Sequence, residues 1–460
     1  MSARGALPPG ELTPAERLLV ACAAAQAGAA TDTVAGALSA PGLDWPAVVR
    51  LSLEHGMAPL VARELSDFRD DPRIPAGVAA CFARMAEANA FRNRVLFRET
   101  ARLVRALEAA EIRALVLKGV GLALTIYADP ALRSFADIDL LVRPEDLEAA
   151  DHVARTCGFR REDGGTSPVF YHSEHVATCE EDILTELLAP EYDPRVSAET
   201  IARLGHRVPL EIHFGLFCLP SGALRRVDME PFWERAQVVI LPDGTRMRVP
   251  SPEAMLVHLA AHAAGDLFRK LVFAVDIALL LRRYAAALDW ARVTALADRY
   301  AVLPDLRRML EFLTHLPESR MATDNTDDTD IKVLNPCSDG SGCGDDTDIK
   351  VLNPCSSVAS AQSVIQTQKK EAPLTPADIF AAARMDSTAL VWRRWKRARN
   401  TRERLLSFWQ ILFPAPATMR RFYHVRSPLQ VGLCYLLRPF LLASRLAVAR
   451  IPIRPAHSRR

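Results

Sequence analysis

Nowhere in its 460 residues does this chain offer an uncharged apolar run of the roughly 18–20 residues that a membrane-spanning helix requires. The longest apolar stretch, residues 428–453, is broken by Arg438, Arg445 and Arg450. An integral membrane protein is therefore not expected. The nine cysteines form no CxxC pair and no regular framework, which argues against a disulfide scaffold and for reduced thiols in a cytoplasm. Lysine is scarce: there are seven, four of them between 332 and 370, where arginine is missing altogether. Three catalytic signatures are also absent, namely GxxxxGK[ST], GxSxG and HExxH. What is present is an ordinary globular composition, 50% hydrophobic and 24% charged. At roughly 100–200 residues per domain, the length allows two to four domains.

Residues 18–30 are apolar, but Thr13-Pro14-Ala15-Glu16 predicts a capping box with proline at the first helical position. Two acids lie upstream, where a signal peptide would be basic. A cytoplasmic helix is expected there. The net charge of +2 hides a strong asymmetry, since residues 391–460 hold sixteen Lys/Arg against Glu403 alone, leaving −13 on the rest. Aromatics interleave this basic tail (Trp392, Trp395, Phe408, Trp409, Phe422, Tyr423). Such a tail suits an anionic surface, whether membrane or nucleic acid, or the protein's own acidic body.

The chain changes texture along its length. Residues 1–110 carry helical spacing and predict an N-terminal helical region. Residues 111–220 alternate short apolar runs with helix-like segments. Strands are expected within 112–117, 135–142, 168–178 and 208–214. Helix returns over 221–320, with one start at Ser251-Pro252-Glu253 and a partner helix over 271–286. Residues 321–375 look inserted. The twelve residues 327–338 recur unchanged at 345–356, and two copies are too few for a solenoid. Cys337, Cys343 and Cys355 lack zinc spacing, and residues 324–330 lack the glycine and glutamate of a calcium loop. Residues 376–460 are expected to form a basic C-terminal helical region. The expected class is α+β, a small mixed sheet framed by N- and C-terminal helical regions.

The chemistry concentrates in 111–220. Lys118-Gly119-Val120-Gly121 joins a strand to a helix, and Arg133-Ser134-Phe135-Ala136-Asp137-Ile138-Asp139 runs into the next strand. Side chains alternate along a strand, so Asp137 and Asp139 share one face while Ile138 and Leu140 enter the core. Adjacent carboxylates repel unless positive charge sits between them, and oxygen ligands suit Mg²⁺ or Mn²⁺. Glu211, in Leu210-Glu211-Ile212-His213, adds a third acid, and His213 shares its face in a supporting place. Three acids around divalent ions are the machinery of in-line nucleotidyl transfer. Gly119 and Gly121 would let backbone N–H groups approach phosphate at a helix N-terminus, with Lys118, Arg133 and Ser134 beside it. His258 and His262 lie four apart, but position 259 is leucine, so a buried supporting role is expected rather than zinc binding.

These blocks resemble the uncharacterised nucleotidyltransferases of the DNA polymerase β-like superfamily. The resemblance rests on residues 115–124, 133–147 and 210–214, with looser likeness at Asp44-Trp45, at 55–60, at His258 to His262 and at Val275-Asp276-Ile277. It implies Asp137 and Asp139 as metal ligands and Glu211 as the third acid. Where the superfamily usually follows its first glycine with serine or glycine, this chain has Val120. It further implies an NTP substrate, ATP being the expected one, and a hydroxyl-type acceptor. Members of the family often neighbour genes for ribosomally made peptides, which makes a peptide a candidate acceptor beside a small molecule. Two other functions fit the same residues: a non-catalytic nucleotide- or peptide-binding protein that kept the fold, and a nucleic-acid-modifying transferase served by the basic tail.

Overall fold

The computed structural model of the chain describes residues 11–29, 32–162, 169–173, 208–217, 227–284, 287–314, 316, 374–383, and the single positions 427, 430 and 434. Both copies of the repeat and almost all of the basic tail lie outside these residues. The chain forms two compact units. The first takes in 1–161, 167–216 and 226–383, and the second takes in 384–460 with two short segments. Everything below belongs to the first.

Five helices open the chain: α1 (Pro14–Gln26), α2 (Asp32–Leu38), α3 (Trp45–Glu54), α4 (Ala58–Ser66) and the long α5 (Ala76–Ala109). Local chemistry sets their starts. The Thr13 hydroxyl accepts from the Glu16 N–H at 3.2 Å, and the Glu16 carboxylate accepts from the Thr13 N–H at 2.8 Å. That is the predicted capping box, and Asp44 caps α3 by accepting from the Ala47 N–H at 3.2 Å.

A seven-stranded mixed sheet follows, in the order β3-β4-β5-β2-β1-β7-β6. Its strands are β1 (Leu115–Val116), β2 (Ile138–Leu141), β3 (Phe159–Arg161), β4 (Val169–Ser173), β5 (Pro209–His213), β6 (Gln237–Ile240) and β7 (Arg246–Val249). β2 runs parallel to β5 and antiparallel to β1, while β1 runs parallel to β7. Helices α6 (Lys118–Thr125) and α7 (Leu147–Thr156) connect the first strands. The α+β class is as expected from the sequence.

Residues 221–320 are not all helical, because β6 and β7 form a hairpin that extends the sheet beyond β1. Its turn places Gly244 at φ +84°, where glycine meets no steric cost. The strands are only four residues each, too short to stand out in a segment rich in helical spacing. After the short α8 (Glu230–Trp233), helices α9 (Pro252–Gly265), α10 (Val272–Tyr284), α11 (Trp290–Arg299), α12 (Leu303–Thr314) and α13 (Pro376–Ala383) complete the unit. Ile138, Leu140, Leu210 and Ile212 are fully buried in one core with Leu96, Leu103 and Leu107 of α5. The long helix thus backs the central strands. Among the described residues, no helix is long and apolar enough to cross a membrane.

Candidate active site

The centre of the site is a cross-strand pair. In the parallel register of β2 and β5, Asp139 stands beside Glu211 and Leu141 beside His213. Side chains two apart on β5 share a face, so His213 Nε2 reaches both acids, lying 2.9 Å from Asp139 Oδ1 and 3.3 Å from Glu211 Oε2. Asp139, Glu211 and His213 each present a ligand atom, and these atoms lie within 4.8 Å of one another. Asp137 sits one residue before β2, half-buried beside this group and not within it.

Lys118 closes the site from the other side. Its Nζ lies 2.8 Å from Asp139 Oδ1, the same oxygen that His213 contacts. Lys118 turns the chain from β1 into α6 with φ +32°, an uncommon backbone setting for a residue with a side chain. The Leu117 N–H donates to the Asp139 carbonyl at 2.9 Å and ties that turn to β2.

Burial and charge act on every group here. Burial alone would raise the pKa of Asp139, but Lys118 and His213 hold it well below the usual carboxylate range. Burial opposes the charges of Lys118 and His213, yet both are raised: Lys118 by Asp139, Asp137 and Glu211, and His213 by hydrogen bonds to Asp139 and Glu211. Asp137 is pushed up to about 6, first by burial and then by repulsion from Asp139, with Lys118 pulling the other way. Two carboxylates and an imidazole this close, backed by a third acid, make a donor set that fits a divalent cation.

The two glycines of the predicted phosphate turn are both buried and packed. A Cβ on Gly119 would fall 2.8 Å from the Phe135 side chain, and one on Gly121 would fall 3.1 Å from the Val116 carbonyl oxygen. Their lack of a side chain brings α6 tight against the segment that carries Asp137 and against β1.

Arg133 is where structure and sequence part. Its Nε and Nη2 donate to the two oxygens of Asp276 on α10, each at 2.7 Å, and its Nη1 donates to the Ser134 carbonyl. The Tyr127 hydroxyl donates to the same Asp276 at 2.7 Å. With every guanidinium nitrogen partnered and the residue buried, the expectation that Arg133 neutralises phosphate is corrected to a positioning role. From the other side, Asn93 of α5 donates to the carbonyls of Pro130 and Arg133 at 2.8 and 2.9 Å, and Asn89 donates to that of Ala131 at 2.7 Å. The loop into Asp137 and Asp139 is therefore clamped by α5 and α10. Ser134 lies half-buried within it.

Asn89, Asn93, Tyr127 and Asp276 are the positions that sequence reasoning assigned no part in the loop. Their signal was available as two amides four apart on one helix and an acid inside the apolar run of α10. His258 is buried and His262 partly buried. Burial, with Lys118 next, pushes His258 down to about 3, and burial also lowers His262.

Solved structures that align with the chain include two nucleotidyltransferase-type proteins. The antibiotic-resistance factor ANT(2'')-Ia is 12% identical over 46% of this chain and 96% of its own, with a TM-score of 0.29. An antigenic nucleotidyltransferase-like protein from Paracoccidioides brasiliensis is 14% identical over 47% of this chain and 92% of its own, with a TM-score of 0.25. No curated protein matches. The sequence from 41 to 321, more than half the chain and all of the site just described, matches one family throughout. The chain belongs to the uncharacterised nucleotidyltransferase family.

Proposed function

We propose that the protein transfers a nucleoside monophosphate from an NTP to a hydroxyl-type acceptor, a small molecule or a peptide, and releases pyrophosphate. The observation that carries this reading is the convergence of Asp139, Glu211 and His213 within 4.8 Å, with the Lys118 ammonium on the same Asp139 oxygen. Asp139, Glu211 and Asp137 are the residues that would hold Mg²⁺ or Mn²⁺, with His213 beside them. Such an ion, when bound, lowers the pKa of an attacking hydroxyl and neutralises charge on the leaving group.

The chain's own residues do the rest. Lys118 places a compact positive charge at the amino end of α6, where the first N–H groups of the helix also favour an anion. The triphosphate is oriented there, with ATP the expected donor. The acceptor oxygen bonds to the α-phosphorus as the bond from that phosphorus to the bridging oxygen breaks, and pyrophosphate leaves. Glu211, half-buried at the side of the group, accepts the proton that the hydroxyl gives up. Arg133 positions the loop that carries Asp137 and Asp139 without touching substrate.

The test is incubation of the purified protein with Mg²⁺ or Mn²⁺ and each α-labelled NTP, alone and with a synthetic peptide of residues 327–356. Pyrophosphate release that is lost in Asp139→Asn supports the transferase. Metal-dependent NTP binding without turnover across acceptors would point to a binding protein instead, and absence of both would refute the proposal.

A further inference from the structure

With Arg133 committed to Asp276, the positive groups at the proposed site among the described residues are Lys118 and the His213 imidazole, both held on its acids as a triphosphate comes in. A further cation is available on the turn between α9 and α10. Within residues 1–320 the chain uses lysine only twice, at 118 and 270, although arginine is abundant throughout. Lys118 lies on Asp139, and Lys270 lies on this turn.

The turn is built to hold its shape. Leu267 and Phe268 both take the left-handed conformation, with φ +59° and +56°, and both side chains are buried. Two successive side-chain-bearing residues in that region are costly and persist only where surrounding contacts enforce them. Those contacts include His55 of the N-terminal region. The Leu271 N–H donates to His55 Nδ1 and the Val272 N–H to the His55 carbonyl, each at 3.3 Å. Gly56, at φ +69°, leaves only 3.1 Å between a hypothetical Cβ and the Val272 side chain. This gives residues 55–60, noted in the sequence without a role, a physical task.

The turn's charges are unequal in their commitments. Arg269 is latched to the Asp266 carboxylate. Lys270 is exposed, and among the described residues its carbonyl accepts from the Phe273 N–H at 3.3 Å while its ammonium has no hydrogen bond or ion pair. It lies six residues ahead of Asp276, which grips Arg133, itself four residues before Asp137. Burial opposes the charge of Lys270 most, and among the neighbouring charges Asp266 supports it first, with Arg133 and Arg269 opposing it and Asp137 also supporting it. The turn leading into the helix that fixes the acid-bearing loop thus also carries an ammonium without a side-chain partner among the described residues.

We propose that Lys270 is a second phosphate-binding residue of this site, presented by a rigid turn to the β- and γ-phosphates of the NTP. This rests on the nucleotidyltransferase reading above and supplies the positive charge that Arg133 cannot. An ammonium is a compact point charge suited to phosphate, and its exposure lets it meet the nucleotide from the solvent side.

The experiment is calorimetric titration of the full chain with each of the four NTPs and its monophosphate, in Mg²⁺, for wild type, Lys270→Gln and Lys270→Arg. Loss of one charge-assisted contact predicts roughly ten- to hundredfold weaker NTP binding in Lys270→Gln. Monophosphate binding and the melting temperature should not change, and Lys270→Arg should recover most of the loss. If wild type binds NTP and Lys270→Gln binds it equally, the inference fails and the site reading survives. Equal weakening of NTP and monophosphate also overturns it, since that marks a structural role. Wild type that binds no NTP refutes both.

Discussion

Replacing Lys118 with methionine removes an ammonium while keeping most of an apolar stem, and two effects of opposite sign should follow. In metal-free buffer the variant leaves His213 as the one close positive partner of Asp139 among the described residues, while Asp137 and Glu211 continue to repel it. Breaking a buried pair from one side costs about 3–5 kcal/mol. Lys118 is 13% exposed, which favours the lower end, about 3 kcal/mol. At about 2–4 °C per kcal/mol for a domain of this size, the melting point in EDTA should fall by about 6–12 °C.

Divalent binding should move the other way. In the wild type both approaches to Asp139 Oδ1 are taken, by Lys118 at 2.8 Å and His213 at 2.9 Å, so a cation must displace the ammonium. Losing a competing charge-assisted bond of about 1.5–3 kcal/mol predicts roughly 10- to 100-fold tighter binding. Mn²⁺ titration followed by electron paramagnetic resonance measures this directly. Melting in rising Mn²⁺ gives a second readout, because tighter binding stabilises the folded state by mass action. Methionine at 118 should therefore show the larger metal-induced rise. NTP turnover should still fall, since the triphosphate loses its lysine. A variant that binds Mn²⁺ no better than wild type would show that Lys118 does not compete for the metal's place.

Two further outcomes follow from the clamp and from the buried histidines. Asp276→Asn keeps the shape of the side chain but strands the Arg133 guanidinium and weakens the Tyr127 contact, so unfolding in urea should show a loss of about 3–5 kcal/mol. His258, held near 3 in the fold, stays neutral while the unfolded chain takes up a proton below about 6.5. Its contribution is thus fully present above pH 6.5 and is lost as the pH falls toward 3, at about 1.4 kcal/mol per pH unit. Denaturant midpoints at pH 7.5 and 5.5 should converge in His258→Gln relative to wild type, and an unchanged difference would contradict the burial.

The blocks that sequence made legible are those in which local spacing and chemistry coincide. Asp139 and Glu211 stand out because each is an acid inside an apolar strand, and the order of strands and helices places them side by side. Lys118 stands out because it ends a strand. Arg133 misled because an arginine beside two acids and a glycine turn is what a phosphate site would show, and its true partner lies 143 residues away. Asn89 and Asn93 were illegible for the same reason. They stabilise a loop by donating to carbonyls about 40 residues downstream, and no local pattern encodes those acceptors. The β6–β7 hairpin was missed through brevity, since four-residue strands barely establish a period.

That division between local and distant information bears on where the core can be cut. The sequence places a nucleotidyltransferase core at 111–220, but residues on both sides hold its acids in place. Asn89 and Asn93 come from before it, Asp276 from after it, and β7 pairs with β1. A fragment of 111–250 would retain the whole sheet and still leave Arg133 without its counter-charge and the 130–133 carbonyls without their amide donors. The unpaired guanidinium alone costs about 3–5 kcal/mol, a large share of the 5–15 kcal/mol that stabilises a typical domain. The fragment would also expose the strand residues that pack on Leu96, Leu103 and Leu107. It should therefore lack dispersed amide resonances and a cooperative melt, whereas 11–383 should show both. A fragment 111–250 that folds and binds Mn²⁺ as tightly as the longer chain would mean that the flanking helices decorate the site and do not build it.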